Sequence, residues 1–209
     1  MIVSSSKIEA IENNVHEFDA DTPAYPNIYQ HALSSAGAAI AASRSALEGK
    51  IAFSLMRPPG HHCTRDRAMG FCYFSNVAIA ALDALERGAE RVGIWDFDAH
   101  HGNGTEEIVA KHDQITFASV HQSPAYPGTG LTSFGNISNF PIRPYTKRSE
   151  HVIVVRRALD DLLAEKPDLI LVSAGFDAFS GDPITQMTLE AEDFAVFGHC
   201  QTRYVFADW

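Results

Sequence analysis

The sequence predicts an α/β fold in which a parallel sheet is sandwiched by helices, and three observations carry that prediction. Short apolar runs recur between longer stretches whose apolar side chains fall at helical spacing. The short runs are nearly continuous rather than alternating, as in strands buried on both faces. Strands separated by helices pair in parallel through crossovers, which cover both faces of the sheet.

In chain order, residues 29–48 are Ala-rich with helical periodicity, and Gly49 follows as a C-terminal cap. Residues 51–56 (IAFSLM), bounded by Pro58, Pro59 and Gly60, read as a short buried strand. A second helix covers 74–87 and stops at Gly88. Residues 91–97 (RVGIWDF) read as a strand, 104–112 as a short helix and 114–120 (QITFASV) as another strand. After a loop rich in Pro and Gly, 149–165 has a helical pattern and 168–174 (DLILVSA) is the clearest strand. No repeat or linker interrupts the series, and 209 residues suffice for one buried core.

Composition narrows the function. With 26 acidic against 16 basic side chains the net charge is −10, which argues against a phosphate-tracking nucleic-acid binder and suits a cationic substrate. No apolar run reaches the roughly 18 residues of a membrane helix, and no signal-peptide pattern opens the chain. Three cysteines (Cys63, Cys72, Cys200), odd in number and without zinc-finger spacing, fit a reducing cytoplasm. The expected location is therefore cytoplasmic, without membrane or nucleic-acid partners. Ten histidines are the unusual count.

Each of the four predicted strands runs into a polar cluster: RPPGHH (57–62), DFDAHHGNGT (96–105), His121 and Asp177. In open α/β sheets ligands bind beyond the carboxyl ends of the strands, so these clusters converge on one site. Asp96, Asp98 and His100 alternate, and in an extended chain they share a face. Asp98, His100 and Asp177 offer two carboxylates and an imidazole with room for water, a catalytic metal pattern. Zinc suits it, although iron, cobalt and manganese accept the same ligand types. His61 and His62, at the Pro58-Pro59-Gly60 turn, are a candidate base and acid for a water at that metal. Asp96 and Asn103 would accept hydrogen bonds from their rings and fix the tautomers. Phe71, after Gly70, and Tyr126 would wall a passage for a long aliphatic chain. Cys63, beside His62, bears no mark of a reactive thiolate.

Taken together, RPPGHH, GFCYFSNVAIAA, DFDAHHGNGT, SVHQSPAYPGTG and SAGFDAFSGDP resemble the zinc-dependent histone deacetylase superfamily over about residues 15–197. They look closest to its class II branch and to the bacterial deacetylase-like and acetylpolyamine amidohydrolases; class I proteins usually carry Asp in place of Asn103. The resemblance implies an arginase–deacetylase fold and hydrolysis of an N-acetyl amide on lysine side chains or polyamines. It implies one Zn2+ per chain on Asp98, His100 and Asp177, with water activated by the His61–His62 pair. Gly70, Phe71 and Tyr126 match the acyl-lysine tunnel. Asp96, Ser119 and Val120, with backbone carbonyls of Asp98 and His100, match a structural potassium site. Asp19, or its neighbour Asp21, matches the rim aspartate that holds the substrate backbone. The related ureohydrolases bind two manganese ions through Asp-Ala-His-x-Asp; Gly102 stands at the last of those positions here, which favours one metal.

The sequence departs from the family at both ends. Family members begin with an additional strand and continue into a Gly-Gly-Tyr motif whose hydroxyl polarises the scissile carbonyl. Residues 1–209 are thus expected to form a single, incomplete deacetylase-like catalytic domain. Residues 198–209 lose the pattern as a frameshift or truncation would make them, and Tyr204 is given no catalytic role. Losing one oxyanion donor typically costs on the order of 10²–10³ in rate. Unpaired sheet edges would favour a homo-oligomer. Two readings stay open: a zinc amidohydrolase, or a truncated metal-binding homologue without useful turnover.

Overall fold

The computed structural model describes residues 2–13 and 17–198, together with the backbone of 204–206. Its helices are α1 (Ser5–Asn13), α2 (Ile28–Leu47), α3 (Asn76–Glu86), α4 (Asn103–Val109), α5 (Arg148–Ala164) and α6 (Ala191–Gly198). Its strands are β1 (Ala52–Phe53), β2 (Val92–Asp96), β3 (Ile115–Gln122), β4 (Ile137–Ile142), β5 (Leu169–Ser173) and β6 (Tyr204–Phe206). They form one sheet in the order β1-β6-β5-β2-β3-β4, and every pairing is parallel. The predicted parallel sheet between helices is what the chain adopts. No described helix is long and apolar enough to cross a membrane.

Both faces of the central strands are buried, which explains their unbroken apolar runs. On one face Val92, Ile94, Phe117 and Leu171 meet the alanines of α2 and α3 (Ala39, Ala42, Ala46, Ala80, Ala81, Ala84). Alanine loses no side-chain entropy on burial, and its small volume lets the two helices approach the sheet and each other. On the other face Trp95, Ala118, Val120, Ile170 and Val172 pack against Val155, Leu159 and Leu162 of α5. Register places Asp96 opposite Ser119 on β3 and Ser173 on β5, so β2 and β5 end together while β3 runs on to Gln122.

Three readings of the sequence need correction. Residues 51–56 are not a buried strand: only Ala52–Phe53 pair, at the sheet edge, and Ile51, Phe53, Leu55 and Met56 are exposed. An apolar run cannot distinguish a strand with neighbours on both sides from one with a single neighbour. β4 lies inside the segment read as a loop. Its Pro141 lacks an N–H to donate and is tolerated because β4 is the other edge. The short helices α1 and α6 were not foreseen either. Cys200 and most of 198–209, where the pattern breaks down, lie outside the described residues.

Candidate active site

β2 ends at Asp96, and the alternation expected to carry Asp96, Asp98 and His100 on one face ends with it. Beyond that point side chains fold the backbone. Asp98 N–H donates to Asp96 Oδ1 (3.2 Å), His100 N–H to Asp98 Oδ1 (2.8 Å) and Ala99 N–H to Asp177 Oδ1 (2.8 Å). Such aspartate-to-backbone bonds two residues apart make a tight turn without further secondary structure. Phe97 and Ala99 drop into the core, while the second Asp96 oxygen, Oδ2, meets His61. Gly175 passes so close to Asp98 that a Cβ there would collide with the carboxylate.

The turn and the loop after β5 bring three ligand-type side chains together. His100 Nδ1 lies 2.7 Å from Asp177 Oδ2 and 3.2 Å from Asp98 Oδ1. One donor atom from each of Asp98, His100 and Asp177 falls within 4.8 Å of the others, all three half-buried. Burial and the neighbouring Asp98 charge push the Asp177 carboxyl up to about 6. Burial opposes charging of His100, yet the two carboxylates outweigh it and lift the imidazole to about 10. Burial also works against ionised Asp98, but His61 and His100 hold its carboxyl well below the usual range. Two carboxylates and one imidazole converging on a shared point are a donor set that a divalent cation satisfies.

His61 and His62 stand beside this group with their rings 3.9 Å apart, and their partners differ. His61 Nδ1 lies 3.1 Å from Asp96 Oδ2, and its Nε2 lies 3.8 Å from Asp98 Oδ2. His62 Nδ1 lies 2.9 Å from Asn103 Oδ1. A carboxamide oxygen only accepts, so His62 donates Nδ1–H and keeps a lone pair on Nε2. Burial, reinforced by His61, holds His62 well below the ordinary imidazole range. Asp96 is fully buried, which pushes its carboxyl up against the pull of His61. Gly70, at φ +56, lies against the His62 ring, and a Cβ there would sit 2.5 Å from Cδ2.

A cavity of about 630 Å³ opens above these groups, with His61, His62, Asp98, His100 and Asp177 in its lining. Phe71 (55% exposed) and Tyr126 (41% exposed) stand at its walls, and Tyr126 meets His62 edge-on at 5.0 Å. Burial and nearby acids raise the Tyr126 phenol to about 12. Phe176, Asp182 and Ile184 also line it; the sequence pattern gives them no role, although Phe176 adjoins Asp177 in the SAGFDAFSGDP motif.

The two candidate rim aspartates have different surroundings. Asp19 accepts the N–H groups of Gly70 (3.0 Å) and Asp21 (3.1 Å), so its carboxylate holds the Phe71 loop. Asp21 is the exposed acid that lines the cavity. Ser119 and Val120 are buried behind the site, and Ser119 Oγ lies 2.9 Å from His121 Nδ1. Cys63 is buried, its thiol donating to the Tyr73 carbonyl at 2.8 Å, and it does not line the cavity.

Comparison with known proteins fits this geometry. Residues 2–204 match the histone deacetylase domain. A probable deacetylase of Archaeoglobus fulgidus is 38% identical over 199 residues, which cover 90% of this chain and 55% of that protein. The crystal structure of the HDA15 HD domain superimposes with a TM-score of 0.89 at 30% identity, covering 99% of this chain and 64% of that one. An acetylpolyamine aminohydrolase from Burkholderia pseudomallei superimposes with a TM-score of 0.84 at 32% identity, covering 91% and 60%. The chain thus spans between half and two thirds of these three proteins. Because the match runs through nearly all of the sheet and its strand-end loops, the chain belongs to the histone deacetylase family and shares its arginase–deacetylase fold.

Proposed function

We propose that this cavity hydrolyses an N-acetyl amide on a lysine side chain or a polyamine with the help of one zinc ion. The observation that carries the reading is the convergence of Asp98, His100 and Asp177 within 4.8 Å, next to a His62 whose Nδ1 is committed to Asn103. The donor set fits: Asp98, His100 and Asp177 would hold the ion and leave a side open to the cavity. A bound Zn2+ supplies Lewis acidity toward an amide carbonyl and a water molecule.

The remaining work falls to the chain. His62 takes a proton from water at Nε2 and returns it to the departing amine, with Asn103 fixing the tautomer in which that nitrogen is free. His61, whose Nδ1 faces buried Asp96, stands beside His62 and orients the same water. Phe71 and Tyr126 flank the aliphatic stem of the substrate, and Asp21 meets the polar groups at the mouth. The potassium site on Asp96, Ser119 and Val120 belongs to the same proposal, supported by the register pairing of Asp96 with Ser119. Two of the similar proteins are named for deacetylation and for acetylpolyamines, and both substrate classes release a cationic amine. The net charge of −10 suits that product.

The test is acetate release from Nε-acetyl-lysine amide and N-acetylputrescine by zinc-loaded protein. His62→Ala is expected to lower turnover by at least about 10²-fold while retaining one zinc ion per chain. Unchanged turnover in that variant, or none in the parent protein, would overturn the proposal.

A further inference from the structure

A second group of polar side chains adjoins the site, and apart from Ser119 the proposed function uses none of it. His101 and His121 are each 1% exposed, with ring centroids 4.7 Å apart. His101 Nε2 lies 3.0 Å from Glu106 Oε2, which also accepts Asn139 Nδ2–H at 2.6 Å. An ionised carboxylate only accepts, so His101 presents Nε2–H to it. In that tautomer Thr129 donates its hydroxyl to His101 Nδ1, at 2.7 Å. His121 follows the same logic: Nε2–H donates to the Gly130 carbonyl (3.0 Å), and Ser119 donates to Nδ1 (2.9 Å).

Two buried imidazoles therefore grip two successive residues of one loop. Gly130 adopts φ +76 and is pressed against both rings, where a Cβ would sit 2.5 Å from His101 and 2.7 Å from His121. Tyr126 lies three residues before Thr129, and its ring stands edge-on to His62. Among the described residues its phenol makes no hydrogen bond, and the side chain is 41% exposed. The position of this wall must then come largely from the backbone that carries it.

We infer that Thr129, held by the His101–Glu106 pair, is a positioning residue that sets where Tyr126 stands in the cavity wall. The inference rests on the proposed reading of the cavity as an acyl-amide site. It concerns grip on the substrate stem rather than bond breaking, because Asp98, His100, Asp177 and His62 are held by other contacts. Loss of binding common to ground and transition states raises KM and leaves kcat unchanged.

Thr129→Val removes the hydroxyl and keeps the shape. With Nε-acetyl-lysine amide as the probe, KM is expected to rise about tenfold, with kcat within twofold and zinc content unchanged. Thr129→Ser restores the hydroxyl and should restore KM. In a Tyr126→Ala background Thr129→Val should add almost nothing, because the two residues act in series. Backbone amides of residues 125–130 should exchange hydrogen faster in Thr129→Val than in the parent or in Thr129→Ser, a comparison that needs no turnover. If Thr129→Val does not fold, Glu106→Asp, which shortens the reach to His101, should give the same rise in KM and in exchange. Unchanged KM and exchange in the folded variant, or effects that add in the Tyr126→Ala background, would overturn the inference. If the parent protein turns nothing over, the functional reading fails, while the exchange comparison still decides whether Thr129 holds the loop.

Discussion

Two groups of histidines lie side by side at the carboxyl end of the sheet, and what separates them is the accounting of their polar atoms. In the buried group each ring nitrogen of His101 and His121 meets a protein partner: Glu106, Thr129, Gly130 or Ser119. In the cavity group, His62 commits one nitrogen to Asn103, and His100 is squeezed between two carboxylates that also repel each other. The first braces a loop through imidazoles whose nitrogens are all partnered. The second is a set of donors arranged for something the protein does not itself supply. Residue type does not distinguish them, since His100 and His101 are neighbours in sequence; hydrogen-bond satisfaction does.

Substitutions should break the two groups in different ways. The largest effect is expected at Asp177. Loss of a group that merely orients a metal ligand costs about 10–100-fold in affinity, so Asp177→Ala should weaken zinc binding by at least about 10²-fold, measured by competition with a chelator. In the buried group Glu106→Ala should leave zinc affinity nearly unchanged. It strips acceptors from His101 Nε2–H and Asn139 Nδ2–H and should cost about 1–3 kcal/mol of stability, read from the urea midpoint.

A third histidine environment sharpens the contrast. His151 on α5 is buried, and its Nδ1 has no partner among the described residues. Burial holds its pKa down to about 4, against a weaker opposing pull from Asp193. The unfolded chain takes up this proton near pH 6.5 and the native chain only near 4. Stability from this group is therefore complete above about pH 6.5 and falls as pH drops toward 4, by about 1–3 kcal/mol. His151→Gln should flatten that part of the stability–pH curve in denaturant titrations. The smallest effect is expected at the rim. Asp21→Asn should raise KM for N-acetylputrescine about two- to fivefold in steady-state assays, an exposed charge being well screened.

Much of this arrangement is legible without coordinates because the central strands are buried on both faces and end in ligand-type side chains. VGIW and LILVS could only be interior parallel strands, and the polar residues after them had to gather at one end. The grouping of Asp98 with His100 was anticipated through strand alternation, yet the chain reaches it through aspartate-capped turns after Asp96. Pairing at an edge is not encoded in an apolar run, which is why residues 51–56 misled and why β4, with Pro141, hid in a loop. What separates Asp19 from Asp21 is the Gly70 N–H that the Asp19 carboxylate captures, a contact between residues 51 positions apart that no local pattern encodes. Glu106 lies outside the quoted motifs, and SVHQSPAYPGTG gives its Thr129 no role; only the geometry around His101 shows what they hold.

Metal stoichiometry tests most directly whether the cavity group, unlike the buried one, holds a cation. Chelator-stripped protein should take up one Zn2+ per chain, as should Glu106→Ala and His62→Ala. Asp98→Ala and Asp177→Ala should retain none at micromolar zinc. Full zinc occupancy in the two aspartate variants, or its loss in Glu106→Ala with the fold intact, would contradict the assignment of Asp98, His100 and Asp177 as the metal centre.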